Sequence, residues 1–350
     1  MRALTVTPKS ANSARLEDVA EPKIEEGPIV VETLAVGVCG TDVEIVSGDY
    51  GWSPEGEERL VLGHESLGRV VETPANSGFA EGDLVVGIVR RPDPVPCYSC
   101  AVGEWDECRN GQYVEHGIKS LDGFARERYR TMPDALVKLD PSLGDLGVLL
   151  EPTTVVAKAW EQADLIGNRV TWRPRRALVV GAGPIGLLAA LMGVQQGLEV
   201  HVLDQVETGL KPDLVQRLGA QYHTGKIADA VEAPDVVVEC TGVPQLVADS
   251  FGALGTGGVL CLAGVSPTGR NVELDLGSLA RDAVLGNKAV FGSVNANRRH
   301  YVAGAEALAK ADKDWLGALI SRRIPLEHFE QAFERQTDDV KVVIELKAAQ

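Results

Sequence analysis

Three sets of residues in this 350-residue chain have types and spacings that can do chemistry. The first is Gly181-Ala182-Gly183-Pro184-Ile185-Gly186, which follows the apolar run ALVV and opens the run LLAALMGVQQG. In that strand-turn-helix context Gly181 permits a tight turn, Gly183 lets the backbone approach a pyrophosphate, and Gly186 allows close helix-sheet packing. Pro184 and Ile185 begin the helix, whose free N–H groups and positive partial charge favour an anion. The second set is Cys39 in GVCGTD, His64-Glu65 in LVLGHESLGRVVE and Glu151 in EPTTVVAKAW. Taken singly, such a cysteine or histidine is more often packing or a hydrogen-bonded surface group than a ligand. The third is Cys97-x2-Cys100-x7-Cys108, three of the six cysteines bunched together, which suggests metal binding rather than disulfides.

The dinucleotide pattern extends beyond the glycines. The run EVHVLD ends at Asp204, eighteen residues after Gly186, where a carboxylate accepts hydrogen bonds from ribose hydroxyls. That favours NAD over NADP, because the same charge repels a 2′-phosphate and Gln205-Val206-Glu207 supply no arginine. The alternative is that Asp204 merely caps a strand in solvent. Further on, Glu239-Cys240-Thr241-Gly242 ends another strand at the edge of the same crevice, which assigns Thr241 and Gly242 to the nicotinamide half.

These residues need two kinds of scaffold. The first 150 residues alternate short β-rich runs such as IVVETLAVGV and DLVVGIV with Gly- and Pro-rich turns. After Glu151-Pro152 the texture changes: VVAKAW begins a helix, and apolar strands at 177–181, 199–203, 235–239, 258–263 and 289–293 alternate with helical segments. That alternation predicts an α/β fold with a doubly wound parallel sheet. A helix around 300–311, the segment FEQAFERQ and a closing strand KVVIEL are expected to return to the β-rich domain. The expected division is 1–155 with 295–350 as one domain and 156–294 as the dinucleotide domain.

Composition narrows the partners. With 45% hydrophobic and 24% charged residues, the chain has enough apolar material for two cores. The net charge of −16 opposes binding to nucleic acid or an anionic bilayer. The acidity fits a salt-rich environment as well as an ordinary acidic cytosolic enzyme. No run of about 18 apolar residues occurs, and the amino terminus lacks the apolar core of a secretory signal, so the expected compartment is the cytoplasm.

GVCGTD, GHE, the cysteine-rich segment, GAGPIG and the closing VVIEL resemble the zinc-containing medium-chain dehydrogenase/reductase superfamily over essentially the whole chain. VLGHESLGRVVE, VRRPDP, RNGQYVEHGIKSLDGFARERY and FGSVNAN look most like its glucose 1-dehydrogenase branch. The resemblance implies that the β-rich domain is the GroES-like catalytic domain. It implies a catalytic zinc held by Cys39, His64 and Glu151, with Glu65 as an alternating ligand or partner of bound water. Two anionic ligands against the dication leave a roughly neutral centre with an open fourth position. The implied reaction oxidises an aldose, D-glucose first, at C1 to the aldonolactone, with hydride transfer to NAD or NADP.

Other roles also follow only from the resemblance. Thr41 resembles the hydroxyl that relays the substrate proton, although Glu44 stands where many relatives have histidine. Glu115 and Asn295 match positions that hydrogen-bond sugar hydroxyls. The cysteine lobe resembles a structural zinc site whose fourth cysteine is missing. Pro94 sits there by direct spacing and Asp93 after one inserted residue, so the alternatives are zinc on Asp93, Cys97, Cys100 and Cys108, or a metal-free lobe. Competing functions are a polyol or other secondary-alcohol dehydrogenase and a non-catalytic dinucleotide-binding protein. The expected assembly is a homodimer or homotetramer.

Overall fold

The computed structural model describes residues 1–266 and 269–346. It divides into two compact units, Met1–Glu151 with Ala296–Gln350, and Pro152–Asn295. No helix among the described residues is long and apolar enough to cross a membrane.

The first unit is organised by the strand Ile29–Val38, whose sequence IVVETLAVGV is buried along most of its length. Such continuous apolar character suits a strand covered on both faces. It pairs antiparallel with Glu65–Glu72 on one side and Lys341–Glu345 on the other. Leu84–Gly87 and Leu136–Lys138 extend the sheet beyond the first neighbour, and Ile320–Pro325 extends it beyond the second. The core beneath gathers Leu4, Ile29, Val31, Phe124, Tyr129 and Ile344, all nearly inaccessible. Each such side chain contributes roughly 1.5–3 kcal/mol when fully buried. The closing strand thus supplies a central strand of a sheet built mostly from the first 140 residues.

The second unit holds a parallel sheet in the order Gln221–His223, Glu199–Leu203, Arg176–Val180, Val236–Glu239, Val259–Leu262, Ala289–Gly292. This is the doubly wound order, with its switch point between Arg176–Val180 and Val236–Glu239. Val180 is level with both Leu203 and Glu239, so Gly181, Asp204 and Cys240 leave the sheet at one edge. The helix Pro184–Gln195 follows directly, starting from Gly183.

Two short strands lacked a clear sequence signal. Gln221–His223 is three residues long. Ile320–Pro325 carries two arginines, of which Arg322 pairs with Asp339 at 2.7 Å, and it forms a parallel ladder with Lys341–Glu345. FEQAFERQ contains only a single helical turn, Glu330–Phe333.

The glycine turn makes a stability prediction. A Cβ added at Gly186 would lie 1.8 Å from the carbonyl oxygen of Gly181 and 3.3 Å from Val179 Cγ1. Gly186→Ala is expected to cost about 1–3 kcal/mol and lower the thermal midpoint by several degrees. An unchanged midpoint would show that the helix does not need this close approach.

Candidate functional site

The strand Ile29–Val38 delivers the chain to Cys39, which caps the helix Gly40–Ser47. His64 stands just before the strand Glu65–Glu72, whose first residue is level with Gly37 in the ladder. This register brings Cys39 Sγ to 3.1 Å from His64 Nε2. With a Glu65 carboxylate oxygen, these ligand atoms lie within 4.8 Å of one another.

Asp42, which sequence reasoning left unassigned inside GVCGTD, backs the histidine. Its Oδ1 is 3.4 Å from His64 Nδ1, and its Oδ2 accepts the Cys39 N–H at 3.0 Å. An imidazole turned to a thiol by one nitrogen and backed by a carboxylate at the other is the orientation of a metal-ligating histidine. Sulfur, imidazole and carboxylate are also the donor types zinc accepts. The residues present fit the metal.

The electrostatics point the same way. Burial alone would lower the His64 pKa, but Asp42 and Cys39 overcome it and hold the imidazole well above its ordinary value. Glu151, in the first turn of the helix Leu150–Gly167, keeps some accessible surface. Its carboxyl is nevertheless desolvated and repelled by Glu65, which pushes its pKa up to about 7 against the pull of His64. Cys39, Asp42, Glu65 and Glu151 thus form a cluster rich in potential anions, an environment in which a dication is stabilised.

A lysine sits among these groups. Lys341, almost wholly buried, forms an ion pair with Glu65 Oε2 and donates to the Val38 carbonyl at 3.0 Å. Nothing in KVVIEL signals this role, because a lysine at a strand end ordinarily reads as solvated. Thr41 is half-buried in the first turn of the capped helix, and Glu44 is exposed on it.

Glu115 is buried in the strand Val114–His116, level with Arg90. Arg90 Nε and Nη2 each lie 3.0 Å from Glu115 Oε1, and Arg90 Nη1 donates to the Asp106 carbonyl. The guanidinium also stacks over Tyr113, 3.7 Å from the ring centre. Asn295, the other residue matched to sugar binding, belongs to the second unit, where it adopts a left-handed backbone with φ of 63°.

In the cysteine lobe, the sulfurs of Cys97, Cys100 and Cys108 lie within 4.8 Å of one another. The Arg109 N–H, 3.4 Å from Cys97 Sγ, is the main reason the Cys97 thiol is held down at about 6. The structure does not bring the Asp93 carboxylate into this group. It accepts from the Val95 N–H at 2.9 Å and pairs with Asn110 Nδ2, while Asn110 Oδ1 lies 3.1 Å from Cys108 Sγ. The three sulfurs still offer thiolate donors that zinc accepts, so two zinc per chain are expected in reconstituted protein, with Asp93→Ala weakening retention in the lobe about tenfold, the effect of an outer-shell partner. Elemental analysis under a graded chelator checks this; complete loss of one zinc in Asp93→Ala would restore Asp93 as a direct ligand.

In the second unit the glycine turn offers a dinucleotide cradle. Gly181 has φ of 100°, and a side chain there would meet Thr241 Cγ2 at 2.8 Å. A Cβ on Gly183 would meet nothing within 4 Å, which leaves room for a pyrophosphate at the helix N-terminus. Pro184 and Ile185 form the first helical positions. Asp204 closes its strand, accepting from the Ala182 N–H at 2.7 Å and the Val206 N–H at 3.1 Å. Lys211 folds back to 3.3 Å from it. Thr241 and Gly242 are tied to the wholly buried Glu239, whose carboxylate accepts hydrogen bonds from both their N–H groups and from the Thr241 hydroxyl.

Comparison with known proteins closes the assignment. Residues 144–346 match the family model for the glucose dehydrogenase C-terminus, and residues 25–141 match the alcohol dehydrogenase GroES-like domain. The chain belongs to the glucose dehydrogenase family of zinc-containing medium-chain dehydrogenases. Within that family, glucose 1-dehydrogenase of Methanocella arvoryzae is 39% identical over 359 residues, covering 99% of this chain and 100% of the relative. The Haloferax mediterranei glucose dehydrogenase, solved in complex with NADP, Zn and gluconolactone, has a TM-score of 0.91 at 33% identity, with both chains covered completely. Galactitol-1-phosphate dehydrogenase of Escherichia coli, at 22% identity and a TM-score of 0.80 over 99% of this chain and 100% of its own, shares the fold.

Proposed function

We propose that this glucose dehydrogenase family member oxidises an aldose, D-glucose first, at C1 to the aldonolactone, passing the hydride to NAD in preference to NADP. The observation that carries the reading is the convergence of Cys39 Sγ, His64 Nε2 and a Glu65 carboxylate oxygen beside Asp42 in one unit. Whole-chain similarity to glucose 1-dehydrogenases supports the sugar.

Cys39, His64 and Glu151 hold the zinc, with Glu65 as the exchangeable carboxylate. When bound, zinc supplies a Lewis acid that makes the C1 hydroxyl easier to deprotonate. Thr41 accepts and passes on that proton, and Glu44, exposed on the same helix, replaces the histidine exit used by many relatives. Asp42 fixes the His64 ring. Glu115, itself held by Arg90, hydrogen-bonds the sugar hydroxyls, a polar contact that an apolar alcohol cannot return. Gly181, Gly183, Pro184, Ile185 and Gly186 cradle the pyrophosphate, Asp204 binds the ribose, and Thr241 with Gly242 borders the nicotinamide.

The working form is a homo-oligomer. The edge strand Ala289–Gly292 exposes Val290, and Leu276, Val284 and Leu285 are exposed on the helix Leu276–Gly286 of the same unit. An unpaired strand edge beside exposed apolar groups favours pairing with a second copy. All six cysteines are unpaired, as a reducing cytoplasm requires.

Initial rates on a panel of aldoses and polyols, each with NAD and NADP, test the function directly. Highest kcat/KM on D-glucose with lactone as product is the expected result. Turnover of polyols but not aldoses would transfer the site to the secondary-alcohol dehydrogenases, and binding of dinucleotide without any turnover would make it non-catalytic.

A further inference from the structure

Glu239 ends the strand Val236–Glu239 on one side of the switch point of the parallel sheet, and it is wholly buried. Its carboxylate turns back on the residues that follow. Oε1 accepts the Thr241 N–H at 2.7 Å, the Thr241 hydroxyl and the Gly242 N–H at 3.2 Å, and Oε2 accepts the same Gly242 N–H at 3.1 Å. The main-chain carbonyl of Glu239 serves the neighbouring strand end, where it accepts the N–H groups of Ala263 and Gly264, both at 2.8 Å. One residue thus pins two adjacent loops at the carboxyl edge of the sheet, the edge at which open α/β sheets bind their ligands.

Those loops pack backbone on backbone. A Cβ on Gly264 would lie 2.2 Å from the Gly242 nitrogen and 2.7 Å from that of Thr241. On its other side Thr241 presents its methyl to Gly181 in the pyrophosphate turn. The Thr241 hydroxyl has its single proton committed to Glu239, while its oxygen accepts the Val243 N–H at 3.0 Å, so it has no proton left for a cofactor. Every partner of the Glu239 carboxylate is a donor. The amide of a glutamine would therefore have to set its NH2 against an N–H.

We propose that Glu239 is a positioning residue of the cofactor site: by fixing the Thr241 hydroxyl and the Thr241-Gly242 backbone, it sets the wall against which the nicotinamide half of the dinucleotide is seated. The proposal rests on the assignment of Thr241 and Gly242 to that half. The pyrophosphate turn has anchors of its own, since the Gly181 N–H donates to the Leu203 carbonyl and the Ala182 N–H to Asp204, each at 2.7 Å. A glutamate that merely stabilised the sheet would affect every ligand of this unit alike.

The test titrates the full-length, zinc-loaded enzyme with NAD and with ADP-ribose, which has the same adenosine and pyrophosphate but no nicotinamide. Wild type should bind both; binding of neither would overturn the dinucleotide reading, and the proposal with it. Glu239→Gln should weaken NAD about tenfold and ADP-ribose by no more than about twofold. Thr241→Val keeps a methyl against Gly181 and removes the hydroxyl, so it reads the same contact from its other end and should show the same split, including where Glu239→Gln fails to fold. In the double variant the loss of NAD affinity should stay within about twofold of the larger single loss, the sign of one shared contact. Folded variants that bind NAD as wild type does, or that lose NAD and ADP-ribose equally, would overturn the positioning role of Glu239 while leaving the dinucleotide site standing.

Discussion

Replacing Cys39 by serine or His64 by alanine is expected to reduce kcat by at least about a thousandfold, corresponding to roughly 4 kcal/mol of lost transition-state stabilisation. Each substitution removes one member of a pair whose donor atoms stand 3.1 Å apart. NAD affinity should change by no more than about twofold, because the glycine cradle and Asp204 belong to the other compact unit and additivity holds for independent sites. His64→Ala also leaves the buried Asp42 without its imidazole partner, so a thermal melt must accompany the kinetics to separate lost chemistry from lost folding. Fluorescence titration with NAD, elemental analysis and single-turnover rates on the same preparations complete the measurement. Undiminished turnover in a demonstrably zinc-free variant would remove the mechanism.

Cofactor choice is the second large effect, and it turns on Asp204 and Lys211. A carboxylate about 4 Å from a 2′-phosphate repels it by several kcal/mol at an effective dielectric near 20. Lys211, 3.3 Å from Asp204, offsets part of that repulsion. The native enzyme is therefore expected to prefer NAD by about tenfold in kcat/KM rather than the hundredfold or more that an unpaired carboxylate would impose. Lys211→Ala should widen the preference by about a further tenfold, since it leaves the Asp204 charge uncompensated. Asp204→Ser combined with Gln205→Arg should invert it, by exchanging the repulsive group for one that pairs with phosphate. Initial rates with both cofactors read all three. A native kcat/KM higher with NADP than with NAD would show that Asp204 does not face the ribose.

Much of the architecture was legible in the residues. The parallel sheet was readable because its strands are continuous apolar runs separated by helices, and Arg176–Val180, Glu199–Leu203 and Val236–Glu239 fall within a residue or so of the runs expected. The glycine turn was readable because each glycine has its own steric reason, which Gly181 and Gly186 display through the atoms a Cβ would strike. Cys39, His64 and Glu65 carried donor chemistry in their side chains, and their motifs carried the resemblance. The closing strand was readable from VVIEL.

What the linear order could not contain is partnership across strands. Asp42 was visible as a residue in GVCGTD, but only the turn into the helix Gly40–Ser47 aims it at both Cys39 N and His64 Nδ1. The resemblance, with one inserted residue, offered Asp93 as a fourth ligand, yet the loop directs its carboxylate to Val95 and Asn110, because a local backbone N–H and a neighbouring amide satisfy it nearer at hand. Lys211 lies seven residues past Asp204, and only the fold of the intervening loop returns its charge to the carboxylate. Lys341 is the extreme case, separated from Glu65 by most of the chain and joined to it by strand order. The sequence by itself determined which side chains are capable of metal, phosphate and proton chemistry, since those capacities belong to residue types. The tertiary structure decided which charges neutralise which, because electrostatic pairing depends on distance in space, and here the sheet places Lys341 and Glu65 on either side of a glycine that leaves room for both.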